Sequence, residues 1–116
     1  MSAKIIPIPQ RKRHNTTPWV AFHRLELGLI LNVYGHMVSL GLWRDYAIDM
    51  LQGEAVFSIY RRASEQPLYQ IYKRPHMRAK QGQYSVIAPG GLILKRGADL
   101  KTVLRVFDKQ RLKTLS

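Results

Sequence analysis

The 116-residue chain contains no cysteine, which excludes disulfides, thiolate zinc sites and cysteine nucleophiles. Acids are scarce as well, with 7 Asp and Glu against 19 Lys and Arg. They are scattered, and Asp45 and Asp49 suit exposed strand positions or local ion pairs better than an acid–base couple. The histidines His14, His23, His36 and His76 have no metal-ligand spacing such as HExxH. No GxSxG elbow or GxGxxG fingerprint occurs, and GGLILKRG lacks the glycine order and GK[ST] ending of a phosphate-binding P-loop. The expectation is a non-enzymatic chain with no catalytic residue, no metal and no cofactor.

Long hydrophobic runs are missing too. The longest uncharged stretch, LGLILNVYGHMVSLGLW from Leu27 to Trp43, carries Asn32, His36 and Ser39 and falls short of the roughly 20 residues a membrane span needs. It reads as a buried helix, not a membrane segment. The N-terminus shows no apolar signal core, so a cytoplasmic setting is expected.

What is abundant is positive charge, a net +12. With 46% apolar and 22% charged residues the rest is ordinary for one globular domain. Such a surplus on a small body favours a nucleic acid or another polyanion, or an acidic protein partner. The charge is also segregated. Residues 16–54 are slightly acidic, with Arg24 and Arg44 against Glu26, Asp45, Asp49 and Glu54. Residues 55–96 set Arg61, Arg62, Lys73, Arg74, Arg78, Lys80, Lys95 and Arg96 against Glu65 alone.

Residues 1–17, MSAKIIPIPQRKRHNTT, hold four cations, two prolines and no acid, the composition of a disordered basic arm. A single domain is expected over 18–113. After a lead-in at Val20 and Phe22, a helix is predicted from about Arg24 to Leu40, with Gly41 as its C-terminal cap. Leu29, Ile30, Leu31, Val33, Tyr34, Met37 and Val38 cover more than half its circumference. An arc that wide predicts burial from two sides, either inside the fold or in a homo-oligomer.

Alternation then predicts strands at about 45–51, 55–61 and 68–74, followed by YSVIA and GLILK around a type II turn at Pro89-Gly90. PHMRAKQGQ is a basic loop with room for one helical turn. A last helix is predicted over Asp99–Lys113, with Leu100, Val103, Leu104 and Phe107 on its core stripe and Lys101, Arg105, Lys109 and Lys113 opposite. The fold class is α+β: an antiparallel sheet of four to five strands with two helices, in the order helix, strands, helix.

VFSIYRRASEQPLYQIYKR, residues 56–74, frames the candidate site. If the hairpin turns over Ala63–Pro67, Ile59 pairs with Ile71, Tyr60 with Gln70 and Ser58 with Tyr72. Phe57, Ile59 and Ile71 then face the core, while Tyr60 and Tyr72 share the other face. Arg61-Arg62 and Lys73-Arg74 bracket that strip from opposite ends. Aromatic rings with flanking cations suit single-stranded nucleic acid, where bases stack and phosphates seek charge. The candidate anion contacts are Arg61, Arg62, Lys73, Arg74, Arg78 and Lys80, helped by Lys101, Arg105 and Lys109, with Tyr60 and Tyr72 as stacking platforms. Trp43-Arg44-Asp45-Tyr46 is a polar-aromatic knot read mainly as a Trp packed on the core with Arg44 and Asp45 in local pairs, over a recognition feature. The alternative function is protein interaction, as an accessory subunit or a homodimer through the first helix.

The segments FHRLEL, GLWRDYAIDML, EAVFSIYRRASEQPLY, QGQYSV, GLILKRG and LRVFD resemble a family of short alphaproteobacterial proteins classed only as a domain of unknown function. The resemblance spans about Thr17–Asp108 and implies a bacterial cytoplasmic setting, with no activity, cofactor or partner to carry over. In outline, GEAVFSIYRRAS opening the sheet is also similar to Src-homology phosphotyrosine-binding modules, which implies an anion pocket near Arg61 and Ser64.

Overall fold

The computed structural model describes residues 17–62 and 65–109. Its elements are helix α1 (Arg24–Ser39), strands β1 (Asp45–Met50), β2 (Ala55–Tyr60), β3 (Tyr69–Lys73), β4 (Tyr84–Ala88) and β5 (Leu92–Gly97), and the short helix α2 (Leu100–Leu104). The strands form one antiparallel sheet in the order β1-β2-β3-β4-β5. Two helices and five strands make an α+β fold, with both helices on one face. The predicted arm, apart from Thr17, and Lys113 lie outside the described residues.

Alternation decides which face is covered. Phe57, Ile59, Ile71 and Val86 stack across β2–β4 and are almost fully buried. Leu100, Val103, Leu104 and Phe107, the predicted stripe, close over them. Regular α-helix gives way after Leu104 to a 3₁₀ turn over Arg105–Phe107 and resumes at Asp108 and Lys109, the last described residues. The core stripe is as expected, and the 3₁₀ turn that interrupts the helix within it is not; residues 110–113 of the predicted helix lie outside the described residues. Gly90 takes φ 81°, ψ 5° in the β4–β5 turn, the values of a type II turn.

α1 corrects one branch of an expectation: within a single chain it is not buried from two sides, and the homo-oligomer alternative is untouched by this. Ile30 and Met37 are buried, with Leu27, Val33 and Tyr34 partly so, while Leu29, Leu31 and Val38 remain exposed. The helix lies on the sheet as an outer layer, so one side of its apolar arc meets the core and its flanks meet solvent. It ends in a Schellman arrangement: Leu42 N–H donates to the Met37 carbonyl and Gly41 N–H to that of Val38. Gly41 has φ 76°, a conformation only glycine adopts readily.

The β2–β3 hairpin corrects another. Phe57 pairs with Ile71, Ile59 with Tyr69 and Ser58 with Gln70, a register two residues from the expected one. An even shift preserves the faces, so Ile59 and Ile71 still point to the core and Ser58, Tyr60, Gln70 and Tyr72 away from it. The tight turn expected at Ala63–Pro67 gives way to a longer connection from Arg61 to Leu68. Pro67 has no N–H to give to a ladder, and the closing bond is Leu68 N–H to the Ile59 carbonyl at 2.7 Å. Arg61 and Arg62 are thereby released from the strand.

Candidate nucleic-acid interface

The predicted cations divide into three groups. Lys73 points to the helix-covered face, because it pairs with Ala55 in the Phe57 row. Its ammonium donates to Glu26 Oε1 at 2.7 Å and to the Ala21 carbonyl at 2.9 Å. Arg74 donates to Glu54 at 2.8 Å and lies over the Tyr72 ring, 4.2 Å from its centroid. Both are internal ties, and Tyr72 already carries a stacked cation. The bracketing pairs are at opposite ends of the hairpin as expected, but only one pair faces solvent.

Arg78 and Lys80 are exposed at the β3–β4 loop, with Arg96 donating to Gln81 beside them. Arg61 and Arg62 gather at the other end of the strands, some 17–20 Å away for elements of this length. The open sheet face itself is not strongly basic: Asp45, Asp49 and Glu54 on the β1 side offset Arg74 and Arg96. Tyr60 and Tyr72 share that face without being neighbours, since Ser58 and Gln70 lie in the row between them.

The residue missed from sequence is Arg44. It precedes β1, and its N–H donates to the Tyr60 carbonyl at 2.9 Å, which sets it beside the end of β2 from which Arg61 and Arg62 depart. Val38, Gly41, Trp43, Arg44, Arg61 and Arg62 line a recess of about 420 Å³ at the C-terminal end of α1. The local ion pairs expected for Arg44 and Asp45 do not form among the described residues, where none of the three guanidiniums has a carboxylate partner. Like charges that line one recess repel, so the corner is electrostatically incomplete by itself.

Its walls are held by a hydrogen bond and by ring packing. The Tyr34 hydroxyl donates to the Arg44 carbonyl at 2.5 Å. Burial, with Asp45 and Tyr46 beside it, pushes the Tyr34 hydroxyl above its usual pKa and keeps it a neutral donor. Trp43 is 3% exposed and packs edge-on against Phe107 at 4.9 Å. Its indole Nε1–H is buried and has no acceptor. Phe107 touches Trp43, so the segment after α2 that carries Arg105 and Lys109 reaches this end of the fold, while Arg105 itself lines a separate recess with Lys101, Asp108 and the α1 residues Leu29, Asn32 and Val33. Ser64, the partner expected for an anion pocket at Arg61, is outside the described residues.

Among the described residues no group of three or more His, Asp or Glu side chains could hold a metal, and no helix is long and apolar enough to cross a membrane.

The chain belongs to the family described as Protein of unknown function (DUF2794), which it matches over residues 20–104. The match takes in every element from α1 to α2 and all three arginines of the recess. No curated protein and no solved structure matches it.

Proposed function

We propose that this DUF2794 member is a non-enzymatic module that binds nucleic acid through phosphate contacts at the Arg44–Arg61–Arg62 corner, extended by Arg105 and Lys109. The observation that carries the reading is three guanidiniums around one recess with no carboxylate among them. A phosphate accepts several N–H donors at once and relieves their mutual repulsion. The contacts are to backbone, so little sequence preference is expected. The surface is too remote from Tyr72 for base stacking there to contribute, and Arg78 and Lys80 at the opposite end add general attraction only.

Fluorescence anisotropy with a labelled duplex tests this. Three neutralised phosphates should weaken binding roughly 40-fold between about 50 and about 200 mM salt. Replacing Arg44, Arg61 and Arg62 together by Glu should abolish binding, whereas Arg78→Glu with Lys80→Glu should weaken it far less. Equal loss in both variants would reduce the corner to part of a diffuse field. No binding of DNA or RNA at low salt would end the proposal.

A second reading, protein interaction, is supported by a different surface: the exposed apolar flank where α1 meets β1.

A further inference from the structure

β1 is an outer strand of the sheet, and its helix-side residues are uncovered. Tyr46, Ile48 and Met50 face the side on which α1 lies, yet they are 46%, 38% and 57% exposed. Leu31 and Val38 lie on the α1 stripe of Tyr34, whose ring meets Tyr46 at 5.0 Å, so the helix flank and the strand form one apolar shoulder. The strand edge is equally bare. Leu51 N–H donates to the Glu54 carbonyl, which fixes the ladder phase: residues 45, 47, 49 and 51 bond inward to β2. The amides and carbonyls of Tyr46, Ile48 and Met50 therefore point outward.

The other outer strand shows how an edge is protected. β5 also exposes Leu92, Ile93 and Leu94, but it has a bulge opposite Val86/Ile87 and carries Lys95 and Arg96. Bulges and edge cations block strand addition. β1 has no bulge, proline or cation.

We propose that β1 pairs antiparallel with β1 of a second copy, joining two sheets into one of ten strands, with the α1 flanks packed across the two-fold axis. A second copy is the occupant because the strand is self-complementary in one register and the charge permits it. Residues directly opposite must share a face, which leaves few choices. Placing Ile48 opposite Ile48 of the second copy sets Tyr46 against Met50 and Asp49 against Ala47. Three outward residues then bond in full, two hydrogen bonds per pair. Slipping two residues one way sets Asp45 against Asp49 twice. Slipping the other way sets Asp49 against itself and drives the second copy into Gln52, already bridged to Trp19. In a chain of +12, this is also the side on which two copies repel least, since the segment that builds it is slightly acidic. The dimer is separable from the nucleic-acid reading, because it shares only Val38 with the recess and uses none of Arg44, Arg61 and Arg62.

With no native cysteine, Ile48→Cys gives a single-thiol probe in the full-length chain. Paired Cα atoms at about 5.5 Å lie within disulfide reach. Mild oxidation should therefore give a covalent dimer, while Ile93→Cys on β5 should not. Light scattering should show twice the chain mass for the wild type, and half that value for Ile48→Lys and for Ile48→Glu alone. Mixing the two variants should restore the dimer, because Lys then faces Glu at the axis. A wild-type chain monomeric up to its solubility limit would overturn the proposal. So would a dimer that Ile48→Lys leaves intact, or one cross-linked at residue 93 in place of 48.

Discussion

Glu26 accepts from Lys73, from the Tyr84 hydroxyl and from the His23 main-chain N–H, which joins the start of α1 to β3 and β4. Burial alone would raise its pKa, but the donors from Lys73, Tyr84 and His23 outweigh it and hold the carboxyl below its usual value of 4.5. A depressed acid stabilises the fold above that value, and the contribution fades as pH falls through the folded pKa. Tyr84 works in the opposite range. Burial, then the Glu26 bond, raise its hydroxyl above the ordinary 10.0, so its contribution is complete below pH 10 and is lost at higher pH. Thermal melts across pH should show both losses, and Glu26→Ala should cost about 2–3 kcal/mol and remove the acid-side one. A second residue-scale test is Gly82, which has φ 89° and lies so close to the Gly97 backbone that a Cβ would overlap it. Gly82→Ala should destabilise by roughly 2–4 kcal/mol in chemical denaturation. Neither position was legible in the sequence. Glu26 and Lys73 are 47 residues apart, and a glycine in a basic loop looks like any turn residue.

At the scale of elements, period was a sound guide and context was not. Alternation placed five strands within a residue or two, because each has one face buried and a slip of one would expose it. The hairpin register was off by two because parity survives an even shift, and the sequence offers nothing else to fix a loop with Pro67 at its end. The arc of α1 was legible as apolar but not as half-exposed, since hydropathy cannot say how many layers a helix touches. That distinction is measurable. Ile30→Ala should cost about 2–4 kcal/mol by leaving a cavity, whereas Leu31→Ala should change monomer stability by less than about 0.5 kcal/mol. Equal costs would mean that α1 is buried on both sides after all. The arginine corner was half legible: RR at 61–62 stood out, but Arg44 was discounted because it and Asp45 read as members of ordinary local surface pairs.

Over the whole molecule, charge and apolar surface occupy different ends and edges. The hairpin strip does not become a basic sheet face, because Lys73 and Arg74 are consumed by Glu26 and Glu54. What remains solvent-facing concentrates at the α1 end, with a lesser group at the β3–β4 loop. If two chains join through β1, their arginine corners lie at opposite ends of the shared strand pair. Eight residues along the strand from 44 to 52 put them roughly 27 Å apart, and a long polyanion could engage both, with avidity beyond either site.

The central claim is that an anion seats among Arg44, Arg61 and Arg62, and the chain supplies its own reporter. It has two tryptophans: Trp43 on the wall of the recess and Trp19 in the lead-in beside the β1–β2 turn. In a ¹⁵N-resolved NMR titration with a short oligonucleotide, the Trp43 indole N–H resonance should move progressively and the Trp19 resonance should stay in place. A stationary Trp43 signal at saturating oligonucleotide, with shifts confined to the β3–β4 loop or to Trp19, would contradict the account.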